Sequence, residues 1–160
     1  MPAHAFCPRI VTLSIAVLTA CLLALSLAAP AEAGSRRGRI HHAVDVARNQ
    51  KGDPYRYGAE GPRRFDCSGL TQYAFRRAGV SLPRSSDAQA RYARRIKRSK
   101  MRRGDLIFFH RRGNVYHVGI YLGRSRAGNR LMVHAPRPGK RVRTSRLWSN
   151  RWFAGTLRRR

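Results

Sequence analysis

The hydrophobic period of the chain changes once, at Met101-Arg102-Arg103-Gly104, and that change limits the fold more than any other feature. Upstream, apolar residues recur at helical spacing. Ile40, Ala43, Val44 and Ala47 predict a helix from Ile40 to Asn49, stopped by Gly52-Asp53-Pro54. Asp66 suits the N-cap of a second helix starting at Cys67, with Leu70, Tyr73, Ala74 and Ala78 on one face and Gly79 as its stop. A turn at Leu82-Pro83-Arg84-Ser85-Ser86 leads into a short helix from Ser86 to Tyr92. Downstream the texture is that of strands. Leu106 to Phe109 is an apolar run. Tyr116 to Leu122 alternates, with Tyr116, Val118, Ile120 and Leu122 on the buried face and His117, Gly119 and Tyr121 on the other. Leu131 to His134 and Arg141 to Thr144 continue the series, and Trp152 to Leu157 reads as a last edge strand. Helices first and strands after predict an α+β domain, N-terminal helices packed on a C-terminal antiparallel sheet.

Before this domain, Ile10 to Ala29 is apolar and free of charge, preceded by Arg9 and followed by Ala31 and Ala33 in a small-x-small pattern. We read residues 1–33 as a signal peptide cut after Ala33. A retained anchor is the alternative, since about 20 apolar residues span a bilayer. A lipoprotein signal at Leu18-Thr19-Ala20-Cys21 is a third, weakened by the apolar stretch Leu22 to Ala29 that would remain. Each reading exports the chain, to a secreted, cell-wall or periplasmic location, with lipid-anchored and membrane-anchored forms as the variants. Residues 34–39 read as a basic leader, and residues 40–160 as one domain.

The chain carries 34 Lys and Arg against 7 Asp and Glu, a net charge of +27. Such a charge suits anionic polymers and surfaces without selecting one. Export argues against a nucleic-acid partner and for anionic wall polymers held by the basic surface. The cluster Arg94-Arg95-Ile96-Lys97-Arg98 reads as a solvated face, with wall attachment as its functional alternative.

The chemistry centres on Cys67, the one cysteine after residue 33, so no disulfide framework holds the domain. At a helix start, unpaired backbone N–H groups and the helix dipole favour a thiolate near neutral pH, although Asp66 beside it opposes that. By itself, a lone cysteine is more often a buried structural residue. His117 adds an imidazole able to act as general base and then to protonate a leaving amine. His134, at a strand end, could orient that imidazole as the third member of a triad. One Cys and two His could instead hold zinc, but a fourth ligand and a metal-binding spacing are missing. His41, His42 and His110 read as surface residues, and Trp148 and Trp152 as core or edge packing rather than a sugar platform.

Six blocks in order carry a resemblance. They are Pro54-Tyr55-Arg56-Tyr57-Gly58, Phe65-Asp66-Cys67-Ser68-Gly69-Leu70, Leu82-Pro83-Arg84-Ser85-Ser86, Arg103-Gly104-Asp105-Leu106-Ile107-Phe108-Phe109, His117-Val118-Gly119-Ile120-Tyr121-Leu122-Gly123 and Val133-His134-Ala135-Pro136. Together they resemble the NlpC family of bacterial cell-wall cysteine peptidases. The resemblance implies a papain-like fold and hydrolysis of peptidoglycan stem peptides, typically between γ-D-glutamate and a diamino acid. It maps Cys67 to the nucleophile, His117 to the base and His134 to the orienting residue. Tyr55 matches the tyrosine lining the family's site, and Asp66 and Ser68 match positions that in some members contact the amino end of the stem. The chain departs from the family at Tyr57 and Gly58-Ala59, where a tryptophan and paired glycines are usual, which bears on groove shape.

The reading is therefore a secreted, monomeric cysteine endopeptidase acting through a Cys-His-His triad without a cofactor. A same-fold amidase or acyltransferase is one rival, and an inactive exported basic wall-binding protein is the other.

Overall fold

A computed structural model describes residues 34–158. The signal-peptide, lipobox and anchor readings, with Cys7 and Cys21, lie outside the described residues, as do Arg159 and Arg160 of the basic tip.

Helix α1, Arg36–Asn49, buries Ile40, Ala43, Val44 and Ala47, the stripe expected from the sequence. It starts earlier than expected because the Ser35 hydroxyl accepts from the Gly38 N–H at 3.1 Å and caps the first turn. The stretch read as a basic leader is thus helical from Arg36, whose Nε donates to the Leu157 carbonyl at 2.8 Å. Helix α2, Cys67–Arg77, packs against α1 and is capped by Asp66, whose side chain accepts from the Gly69 N–H. Helix α3, Ser86–Tyr92, follows as expected, capped by Ser85.

Six strands form one antiparallel sheet: β1 (Arg94–Ile96), β2 (Leu106–Arg111), β3 (Asn114–Arg124), β4 (Arg130–His134), β5 (Arg143–Arg146) and β6 (Trp152–Thr156). Their order is β1-β6-β2-β3-β4-β5. One expectation needs correction: β6, read as an edge, is internal because β1 pairs on its outer side. The charged segment Arg94–Arg98 is solvent-facing as expected, but its Arg94–Ile96 portion is also the edge strand β1. Nothing local to a three-residue, arginine-rich segment announces that pairing.

Leu106, Phe108, Val118, Ile120 and Val133 join α1 and α2 in the main core. On the other face Ile107, Phe109, Tyr121, Met132, Trp152 and Ala154 form a second cluster. Burial on both faces explains the unbroken apolar run Leu106 to Phe109. It also corrects the alternation expected in β3, where Tyr116 is exposed while His117 and Tyr121 are buried. Gly104 lets the chain enter the sheet under α1: its φ is +91°, and a Cβ there would lie 2.4 Å from Ile40 Cγ2.

Candidate active site

Cys67 is the first residue of α2, and its half-buried thiol lies against the backbone N–H of Val118, the β3 residue next to His117. Burial pushes the thiol pKa up. The Val118 N–H draws it down, the Asp66 carboxylate pushes up again, and the N–H groups of Ser68 and Cys67 itself draw it down. The net direction is upward, so the thiolate expected from the helix start is overturned for the resting molecule. The helix-end amides are present, but desolvation and the adjacent carboxylate outweigh them.

His117 and His134 come together across β3 and β4. Nε2 of His117 and Nδ1 of His134 are 2.9 Å apart, with the rings nearly perpendicular at 88°. Gly119 makes this possible, since a Cβ there would meet Met132 Sδ at 2.8 Å and His134 Cβ at 3.3 Å. Burial holds both imidazoles neutral, pushing His117 down to about 4 and His134 down to about 3, the latter with help from His117 and Arg143. His134 Nε2 lies 3.1 Å from the Ser145 hydroxyl on β5. If His117 is to offer a free Nδ1, its Nε2 must carry the proton and donate to His134 Nδ1. His134 then carries its own proton on Nε2, directed at Ser145. One tautomer chain satisfies all three groups.

Trp148 closes this pair from outside. Its ring stacks on Phe109 at 4.2 Å and 6°, and lies 5.2 Å from both His117 and His134. It is nevertheless 51% exposed, while the two imidazoles beneath are 5% and 1% exposed. The reading of Trp148 as packing is therefore incomplete, whereas Trp152 is buried as expected. The sequence gives Ser145 no role and Trp148 only a packing one; neither sits in a motif, and only strand pairing and the β5–β6 connection bring them to the histidines.

Asp66, Ser68 and Tyr55 surround Cys67. Two nitrogens of Arg84 clamp Asp66, at 3.0 Å to Oδ1 and 2.6 Å to Oδ2, and the first also donates to Ser68 Oγ at 3.0 Å. The Gly58 and Gly69 N–H groups add bonds of 2.9 and 2.7 Å. Burial would raise the Asp66 pKa, but the Arg84 bonds, the Gly69 N–H and Ser68 outweigh it and hold the carboxyl below its usual range. Arg84, quoted in a motif but given no role, is the residue that organises this corner. Buried Gln89 braces the same turn, donating to the Ser68 and Pro83 carbonyls at 3.0 and 2.9 Å. The Tyr55 phenol is raised by burial, by Cys67, by Asp66 and by Tyr57, against Arg84, which places its hydroxyl in the electrostatic neighbourhood of the thiol. His41 and His42 are exposed and lie outside this site, and His110 lies on β2 near its turn. Among the described residues no group of three or more His, Cys, Asp or Glu side chains is placed to hold a metal ion.

The model of the NlpC/P60 family matches residues 52–160, from the loop before Tyr55 through β6. The chain belongs to the NlpC/P60 family. Within it, the chain is 34% identical over 142 residues to the murein DD-endopeptidase MepH of Escherichia coli, covering 82% of this chain and 51% of MepH. The P60 domain of a Mycobacterium avium subspecies paratuberculosis antigen superposes with a TM-score of 0.68 at 31% identity, covering 78% of this chain and 98% of that domain. RipD of Mycobacterium tuberculosis, described as a non-catalytic NlpC/p60 protein adapted to peptidoglycan binding, superposes at 0.62 and 28% identity, covering 74% and 97%. The chain spans at most about half the length of the curated relatives it matches. These structural relatives carry the family's papain-like domain, with three helices against a six-stranded antiparallel sheet in this chain.

Proposed function

We propose that this chain is an exported cysteine endopeptidase that hydrolyses stem peptides of peptidoglycan, with Cys67 as nucleophile, His117 as general base and His134 as orienting residue. The observation that carries the reading is the buried 2.9 Å imidazole pair, whose His117 adjoins Val118, the residue whose backbone N–H meets the Cys67 thiol at the start of α2. With the thiol pKa raised and His117 held neutral, the reaction begins as general-base catalysis: His117 takes the Cys67 proton as sulfur attacks the amide carbonyl. The tetrahedral oxyanion faces backbone N–H groups of the α2 start, with help from the Tyr55 hydroxyl. His117 then gives the proton to the departing amine, and water hydrolyses the thioester.

The bond we propose is that between γ-D-glutamate and the diamino acid. MepH, by its name, acts on a DD bond, and that is the second reading. A digest of defined muropeptides by the wild type and by Cys67→Ala, read by mass spectrometry, separates the two by product mass. A wild type that cleaves no muropeptide, as the description of RipD would suggest, refutes both. We further propose that the +27 charge holds the protein to anionic wall polymers. Binding to intact sacculi then weakens steeply as salt shortens the Debye length from about 10 Å at 0.1 M to about 3 Å at 1 M. Cleavage of a small soluble stem changes little, and salt-independent sacculus binding would remove the electrostatic proposal.

A further inference from the structure

Next to His117, reached through Phe109 at 5.9 Å and Trp148 at 5.2 Å between ring centroids, lies a surface that the reaction just described does not use. It begins with rings. Trp148 and Tyr116 are 51% and 52% exposed, and both lean on buried Phe109, at 4.2 and 6.4 Å between centroids. Phe109 therefore fixes two apolar plates next to the imidazole, where two exposed aromatic side chains would otherwise be free to rotate. Past Tyr116 a cavity of about 600 Å³ opens against the turn between β2 and β3. That volume falls within the usual range for small-ligand sites.

The cavity is lined by Arg111, Arg112 and Arg151 together with His110, Asn114 and Tyr116, and none of its lining residues is acidic. Among the described residues the acids are engaged elsewhere. Asp45 meets Arg48 and Arg103, Glu60 and Asp66 meet Arg84, Asp87 meets Arg91, Asp105 meets Arg158, and Asp53 feels Arg141. The three arginines that line the cavity thus have no ion pair among the described residues. Arg112 also occupies the first central position of the two-residue turn with φ +48°, followed by Gly113 at +86°. Such a turn favours Asn, Asp or Gly at that place, and a side chain like arginine there costs about 1 kcal/mol. A strained cation beside a cavity of uncompensated cations is better explained by a ligand than by the turn.

The direction of the chemistry says which ligand. His117 must deliver its proton to the departing nitrogen, so the departing segment leaves on the imidazole's side, over Trp148 and Tyr116. In the substrate class proposed above, that segment begins at a diamino acid and ends in free carboxylates. We infer that the Trp148–Tyr116 shelf and the Arg111, Arg112 and Arg151 cavity form the subsite for this departing segment, with the rings taking its aliphatic chain and the guanidiniums its carboxylates. The inference rests on the hydrolase reading, and its test is kept separate from that reading.

The probe is the dipeptide diaminopimelyl-D-alanine, compared with its fully amidated form, titrated into the Cys67→Ala protein by NMR. The carboxylate form shifts the Trp148 indole N–H and the Tyr116 ring signals and binds at least about tenfold tighter than the amide. A triple variant, Arg111→Gln, Arg112→Asn and Arg151→Gln, loses that preference while binding the amide as before; Asn is chosen at 112 because it tolerates the turn. Equal affinity for the two forms, or shifts confined to the Asp66–Arg84 corner, overturns the subsite. A wild type that cleaves muropeptides yet shows no carboxylate preference refutes the subsite alone. A wild type that binds the dipeptide here but cleaves nothing refutes the hydrolase reading alone.

Discussion

Acidification should unfold this protein through its histidine pair, and the size of the effect follows from the site. His117 and His134 ordinarily titrate near 6.5, but burial places them at about 4 and about 3. The folded protein therefore binds fewer protons than the unfolded chain at any pH below 6.5. Stability is fully present above that value, falls as pH drops through it, and stops falling only once the folded imidazoles also protonate. At pH 5 the unfolded histidines are almost fully charged while the folded ones are not. Each then contributes a loss of about 1.5 pH units at 1.36 kcal/mol per unit, or about 2 kcal/mol. The pair together loses about 4 kcal/mol between pH 7.5 and pH 5, a large share of a typical domain's 5–15 kcal/mol. Asp66, held below its usual range, adds to the loss only at lower pH; Asp105 and Asp53, raised by burial, oppose it there. Urea unfolding followed by tryptophan fluorescence at the two pH values measures the difference. In His117→Gln the loss should shrink to about 2 kcal/mol or less, because one titrating imidazole is gone and His134 no longer feels its charge. Equal stability at pH 7.5 and 5 in the wild type, or an undiminished loss in His117→Gln, would refute the argument.

Trp148→Ala should wet the histidine pair and raise the acid limb of kcat/KM from near 4 toward 6.5, by at least about one unit, while Trp148→Phe keeps it low; an unmoved limb would show that the ring only packs. His134→Ala should lower kcat by roughly 10²-fold with KM changed by less than about threefold, and His134→Gln should lose less, since an amide can still accept from His117 Nε2. Steady-state kinetics on a soluble stem peptide decide this, and an unchanged kcat in His134→Ala would reduce the site to a dyad. Gly69→Ala should destabilise by about 3 kcal/mol in urea unfolding, because its Cβ would stand 2.1 Å from the Ala59 carbonyl oxygen, itself held by the Asp66 N–H at 2.8 Å. A neutral Gly69→Ala would mean that this loop can move away from α2.

Within reach of a few neighbours along the chain, the sequence determined a great deal. Asp66 caps a helix that starts at Cys67, Ser85 caps the short helix after it, and the 40, 43, 44 and 47 stripe is buried. Helical period, strand alternation and cap chemistry depend on residues one to four positions apart, so they are written locally. The cysteine and the two histidines of the candidate site also stand out in the sequence, as residue types in an order that the proposed reaction needs. Other features were decided by residues far apart in the chain. Arg94–Ile96 becomes a strand only because β6 is there to pair with it. Ser145 reaches His134 through the β4–β5 register, and Trp148 reaches both imidazoles because the chain turns back before β6. Arg84 grips Asp66 from 18 residues away. The thiol is the sharpest case. Its helix-end position argues locally for a thiolate, yet desolvation depends on everything packed around it, and that sum belongs to the tertiary structure alone.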